Sequence, residues 1–256
     1  MNNANRNKIH FIRLIIGLIS ALASGFLDGF SYIFKGNFGL IQTGNLVNSI
    51  FYLINGEFYT FLTTFCAIIT FCIGIYLAYF LEYKLKDKKI NVQNLELLLI
   101  IILLIINISI PTTFYFDESV NLNRWIGTNI LSNCIFAFSG ALIFRTFIEF
   151  DGNPYVTTMM TANMTRLVTA TFNKSIKKEN GEGKKALSYL GVIISFSIGI
   201  ALIYVYYKYS FIPNFNNDLP SNYIANLLLI VPIVLFLTCF VLRIYLDKIE
   251  NKNIAL

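Results

Sequence analysis

The chain reads as an all-α, polytopic transmembrane helical bundle: six spans plus two re-entrant half-helix segments, arranged as two inverted three-span repeats. Three observations predict this. Of 256 residues, 56% are hydrophobic and only 13% charged, with a mean hydropathy of +0.63, whereas about 25% of an ordinary globular domain is charged. Apolar runs of about 20 residues, the length that crosses a bilayer, recur along the sequence. Finally, a small hydrogen-bonding triplet, Thr43-Gly44-Asn45, returns as Thr161-Ala162-Asn163, each time inside an apolar stretch.

The first expected span is 12–34. A basic start, an apolar run and Ala21-Leu22-Ala23 resemble a secretory signal with its cleavage site. Residues 24–34 stay largely apolar, so a retained span is expected instead. Ala21, Gly25 and Gly29 recur every fourth residue, a small-residue stripe suited to close packing against a second helix. Asp28 interrupts the run. An ionisable group at that depth is costly and points to function: relaying protons, binding a cation or pairing with an arginine. The competing reading is a structural ion pair or a carboxyl held protonated.

The first triplet segment, 38–54, follows; it is short for a span and broken by Gln42, Thr43, Asn45 and Asn48. Spans at 59–82 and 95–115 complete a first unit, 1–118. The second unit, 119–256, repeats the order: a span at 125–148, the triplet segment 155–172, then spans at 186–208 and 222–244. The second triplet segment is interrupted by Thr157, Thr158, Thr161, Asn163 and Arg166. A half-helix starting inside the membrane leaves its first amides without partners. Thr or Asn can cap them, and Gly or Ala permits close backbone approach. Two such ends meeting near the midplane would offer positive dipole ends to a polar or anionic solute. The alternative is that the triplets only glue helices together.

Charge sets the orientation. With six crossings and a cytoplasmic N-terminus, the cytoplasmic pieces are the Arg6/Lys8/Arg13 tail, the Lys84–Lys89 loop, "NKSIKKENGEGKK" and the Lys248/Lys252 tail; the outer pieces carry Glu57, Asp117, Glu118 and Asp218. This obeys the positive-inside rule and predicts the inner (cytoplasmic) membrane with both termini cytoplasmic. The net charge of +6 is therefore partitioned among loops and implies no nucleic-acid partner. Three crossings per unit turn the second unit upside-down relative to the first, as in secondary transporters with inverted repeats.

Arg145 lies near the end of the fourth span, 16 residues before Thr161, much as Asp28 lies 15 before Thr43. Snorkelling to the headgroups is its alternative role. Arg166, three residues after Asn163, suits an anionic solute or a pair with Glu149 or Asp151. Cys66, Cys72, Cys134 and Cys239 all sit in apolar stretches, form no CxxC pair and read as buried small hydrophobes. With His10 the single histidine and no HExxH, GxSxG, P-loop or GxGxxG present, an enzyme, a metal site and a bound cofactor are not expected.

"GFLDGFSYIFKGNFGLIQTGNLV" and "FRTFIEFDGNPYVTTMMTANMTRLV" together resemble the two signatures of the YoaK-like family of uncharacterised bacterial integral membrane proteins. There, a glycine and an aspartate in the first span and then an aromatic stretch precede a first Thr-Gly-Asn, and an Arg precedes a second. The resemblance covers most of the chain and implies corresponding positions at Asp28, Thr43, Gly44, Asn45, Arg145, Thr161 and Asn163. Ala162 stands where that family carries glycine. The family implies architecture but no activity. The expected function is a transporter or channel-like protein in the lipid bilayer for a small polar solute, an anion being the narrower expectation. Its binding set would be Asp28, Thr43, Gly44, Asn45, Arg145, Thr161, Asn163 and Arg166. The alternative is a non-transporting scaffold or sensor, in which the same residues stabilise packing or a homodimer.

Overall fold

A computed structural model of the chain describes residues 3–86, 88, 90–110, 126–147, 149–150, 153–154, 160–211 and 225–254. Eight main helices follow one another: α1 (Asn3–Lys35), α2 (Gln42–Ile54), α3 (Phe58–Leu85), α4 (Val92–Ile108), α5 (Ile126–Thr146), α6 (Met160–Ser175), α7 (Glu182–Tyr206) and α8 (Ile230–Ile254). A two-residue antiparallel bridge joins Glu149–Phe150 to Asn153–Pro154 between α5 and α6. The regular structure is thus helical apart from this bridge, among the described residues.

Five helices are long and apolar enough to cross a membrane: Asn7–Lys35, Phe58–Leu85, Gly127–Thr146, Glu182–Tyr209 and Ala225–Glu250. They fall on five of the six expected spans. The sixth expectation, 95–115, coincides with the 17-residue α4, and its residues 111–115 lie outside the described ones. So do the proposed repeat boundary at 118/119 and the acidic residues Asp117, Glu118 and Asp218. The 13 residues of α2 and 16 of α6 reach only about 20 and 24 Å at 1.5 Å per residue, short of the roughly 30 Å hydrocarbon core.

Local chemistry explains the boundaries. Asn91 caps α4 by accepting from the amides of Gln93 (3.1 Å) and Asn94 (3.4 Å), leaving fewer amides unpaired. Gly56, at φ +76°, turns α2 directly into α3. The outer surface belongs to lipid. Ile69, Ile73 and Tyr76 on α3, Ile194, Ile198 and Leu202 on α7, and Val234, Leu237 and Val241 on α8 are all exposed. Faces of this kind are far larger than a soluble monomer tolerates. The protein is a multi-pass membrane protein.

The most enclosed helices are α1 and α5. α1 packs most extensively on α7, and α5 on α3; α2 lies on α3 and α6 on α7; α8 lies on α1 and α4 on α5; α4 and α8 also touch. Exchanging α1–α4 for α5–α8 reproduces the main pairings. Small residues make the two principal crossings. A Cβ on Gly25 would overlap the carbonyl oxygen of Phe196, and one on Gly199 the carbonyl oxygen of Leu22. At the matching crossing, a Cβ on Gly74 would come within 2.6 Å of the Ala141 methyl. The Ala21/Gly25/Gly29 stripe is therefore where α7 crosses.

The cysteines depart from expectation. All four are free, but only Cys239 is buried, and Cys72 faces outward. In a bilayer the outward face of a span is as apolar as its core, so hydrophobicity alone does not separate them.

Candidate functional site

Between α1 and α2 the chain turns back into the bundle. Gly36, at φ +71°, ends α1, and residues 37–41 run alongside the helix they have just left. Leu40 N–H donates to Asp28 Oδ1 at 3.0 Å, and the amides of Ile41 and Gly39 flank the same carboxylate. Asp28 is 2% exposed. It sits seven residues before Lys35, so the loop reaches about 10 Å back along α1. Gly39 N–H donates to Ser31 Oγ at 2.7 Å, and Ser31 Oγ donates to the Asp28 carbonyl at 3.0 Å. From α3, Thr64 Oγ1 donates to Asn37 Oδ1 at 2.7 Å. On the far side, Gly140 of α5 has no room for a side chain, because a Cβ there would lie 2.8 Å from the Gly39 carbonyl oxygen. The loop is thus irregular backbone enclosed between α1, α3 and α5.

The first triplet braces this loop. Asn45 is fully buried; its Oδ1 accepts from Phe38 N–H (2.9 Å) and its Nδ2 donates to the Phe38 carbonyl (2.6 Å) and to Gln42 Oε1 (3.0 Å). Gly44 leaves space for the Phe38 ring, which would sit 2.8 Å from a Cβ there and which stacks on Tyr32 at 4.7 Å. Thr43 is exposed. The triplet was expected to cap α2. Instead α2 begins after Ile41 with no side-chain cap, and Asn45 satisfies the backbone of the preceding loop. That demand arises because the loop is buried.

In the second half, Thr161 is exposed, Ala162 half-buried and Asn163 fully buried on α6. Residues 155–159, which precede it, lie outside the described residues. Arg166 is partly buried, with Nη1 enclosed and without a hydrogen-bond partner among the described residues. Its expected pairing with Asp151 or the Glu149 side chain falls outside what is described. α2 and α6 pack on α3 and α7 rather than on each other, so the two triplets occupy separate places.

Arg145 is neither free nor beside Asp28. Its Nη2 pairs with Glu82 of α3, its Cζ lies 4.3 Å from the Tyr79 ring centroid, and its Nε is enclosed without a partner. The adjacent Thr146 Oγ1 lies 2.8 Å from Glu96 Oε2 of α4, and Arg243 of α8 donates to the Thr146 carbonyl at 3.4 Å. Glu96 is 2% exposed. At the opposite end, Lys35 donates to Asn226 Oδ1 (3.4 Å), and Asn226 Nδ2 to the Ile110 carbonyl (3.0 Å). Sequence reading missed Glu96, Lys35 and Asn226. A lone Glu near the start of an apolar helix looks like an interface residue, and its partner is 50 residues away.

The Asp28 site therefore offers one buried carboxylate and the amides of the loop around it, whereas the guanidinium groups of Arg145 and Arg243 lie with Glu82, Thr146 and Glu96 at another place. No cluster of three His, Cys, Asp or Glu side chains fit to hold a metal occurs among the described residues. No curated protein and no solved structure shows a significant match to the chain. A family model described as "Protein of unknown function (DUF1275)" matches residues 16–241, in agreement with the YoaK-like signatures around Asp28 and Arg145. With that match spanning most of its length, the chain belongs to the DUF1275 family.

Proposed function

We propose that this protein is a transporter or channel-like protein, not an enzyme, for a small polar solute carrying negative charge. The observation that supports this most is the loop at 36–41. Non-helical backbone at membrane depth is tolerated where it is buried in protein or lines a cavity, and broken segments of this kind hold the sites of many transporters. Asp28 of α1, which the loop amides hold, is the charge-balancing group. Arg166, with Nη1 enclosed and without a hydrogen-bond partner among the described residues, is the cation that favours an anion, and Arg145 would join it only on release from Glu82. Two further features support the reading. The helix pairings are preserved when the first four helices are exchanged for the last four, as two repeats, 1–118 and 119–256, would require. The short α2 and α6 fit half-membrane segments. Three crossings in each repeat, with α4 as the shortest, would make the repeats inverted, and the distribution of loop charge supports an inner-membrane protein with both termini on the cytoplasmic side.

Two experiments test this. Single cysteines at the exposed Asn55 and Asn180, in a background without native cysteines, are labelled with an impermeant thiol reagent in intact and lysed cells. Asn55→Cys should label from outside and Asn180→Cys only after lysis; labelling from one side refutes inversion. For function, proteoliposomes are followed by stopped-flow light scattering with small anions and neutral polyols. Wild-type vesicles should equilibrate at least one anion faster than empty vesicles, and Asp28→Asn should abolish the difference. Vesicles no faster than controls for every solute would sink the transport reading.

A second reading, a non-transporting scaffold, is favoured by one observation: the Asn45 amide is spent on Phe38 and Gln42, and so is not presented to a ligand. It predicts stability losses without any flux.

A further inference from the structure

We propose that Glu96 is a proton-binding site at the end of the bundle that carries the Lys84–Lys88 turn. Glu96 lies one turn into α4 and is enclosed with Leu97 and Ile100, both fully buried. Among the described residues it makes no ion pair. The charged groups that act on it from the helices around it are Arg145 of α5, Arg243 of α8 and Glu82 of α3. Asp247 of α8 is held by Asn91 and Asn94 just beyond the start of α4. Arg145 is already paired with Glu82, and Arg243 reaches the Thr146 carbonyl.

The decisive geometry is at Thr146. Its Oγ1 lies 2.8 Å from Glu96 Oε2 and also 2.8 Å from the Leu142 carbonyl oxygen. The hydroxyl has one proton and faces two acceptors. When it donates to Leu142, the usual back-bond of a helical threonine, the contact with Glu96 closes only if Glu96 carries a proton and donates it to Oγ1. When Glu96 is ionised, the hydroxyl turns to donate to the carboxylate. Thr146 is therefore a two-position relay, and the site takes up one proton from the adjoining aqueous phase, converting carboxylate to carboxylic acid. A buried carboxylate without an ion-pair partner is costly, and taking up a proton removes that cost. Loss of the proton would draw Arg145 and Arg243 toward Glu96 and loosen the Arg145–Glu82 pair.

Coupling of this proton to solute movement would rest on the transport reading, but the test of the site itself does not. Purified full-length protein in liposomes is treated with dicyclohexylcarbodiimide, which modifies protonated carboxyls in apolar surroundings, at acid and alkaline pH. Peptide mass spectrometry locates the adduct. Parallel infrared difference spectra between the two pH values record the carboxylic-acid C=O band for wild type, Glu96→Gln, Thr146→Val and Arg145→Gln. The expected result is an adduct on Glu96 at acid pH that is lost at alkaline pH, with a band absent from Glu96→Gln and displaced in Thr146→Val. Arg145→Gln, which removes a neighbouring cation, should keep the adduct at a pH where wild type has lost it. No adduct on Glu96 at any pH, together with spectra unchanged by Glu96→Gln, overturns the proposal. Vesicles that move no solute would leave this site standing, and an absent proton site would leave uncoupled transport standing.

Discussion

Replacing Asn45 by alanine should destabilise the protein far more than replacing Thr43, two residues away in the same triplet. Asn45 makes three hydrogen bonds, two of them to the main chain of Phe38. Hydrogen bonds between side chains inside membrane proteins average about 0.6 kcal/mol each, which sets a floor near 2 kcal/mol for three. Removal also strands the Phe38 N–H and C=O in a closed site. At about 1–3 kcal/mol per unsatisfied buried group, the loss is about 2–6 kcal/mol. For a chain of this size, with about 2–4 °C per kcal/mol, the melting temperature should fall by at least about 4 °C. Thr43 is exposed and makes no hydrogen bond among the described residues, so Thr43→Ala should stay within about 0.5 kcal/mol of wild type. Thermal unfolding in detergent, followed by intrinsic fluorescence, measures both. Equal shifts for the two variants, or an Asn45→Ala melting temperature indistinguishable from wild type, would show that Asn45 does not hold the loop.

The glycine crossings make a sharper prediction. Gly25→Val and Gly199→Val should each cost on the order of 3 kcal/mol or more, because the obstruction is backbone that cannot give way, and both should lower the yield of monodisperse protein on gel filtration. Gly56→Ala, where a Cβ meets nothing within 4 Å but φ is +76°, should cost only about 1 kcal/mol, the usual left-handed penalty. Normal yield for Gly25→Val would show that α1 and α7 do not approach as described. A photoactivated carbene reagent dissolved in the lipid should mark Cys72 in folded protein and leave Cys239 unmarked until the protein is unfolded; equal marking of both would contradict their differing exposure.

Much of the architecture was legible because bilayers impose length and periodicity directly. The apolar runs placed five long helices, and the triplet segments 38–54 and 155–172 contain most of α2 and α6. The Ala21/Gly25/Gly29 stripe marked a close crossing, since a four-residue spacing of small side chains has few other uses. What the triplets do was not legible. Asn45 acts on Phe38, seven residues earlier, and that geometry exists only because the loop folds back against α1. Glu96 was passed over for a related reason. One acidic residue near a helix end carries no pattern, and its meaning depends on Thr146, which a distant helix brings to it. Periodicity reports which face is buried; it does not report which polar groups meet there.

The glycine crossings have a mechanical consequence. Where α1 and α7 meet, main chain touches main chain and no side-chain layer remains to slide or re-interdigitate. At the α3–α5 crossing little more than the Ala141 methyl intervenes, so α1 is riveted to α7 and α3 is held close to α5. Between these two stiff arms the direct meeting of α1 and α5 is short, and Gly39 and Leu40 sit in the seam, pressed against Gly140. Any rocking of one arm against the other would be carried by that loop as a bearing. It would be felt first at the Leu40–Asp28 hydrogen bond, which ties the moving seam to the buried carboxylate.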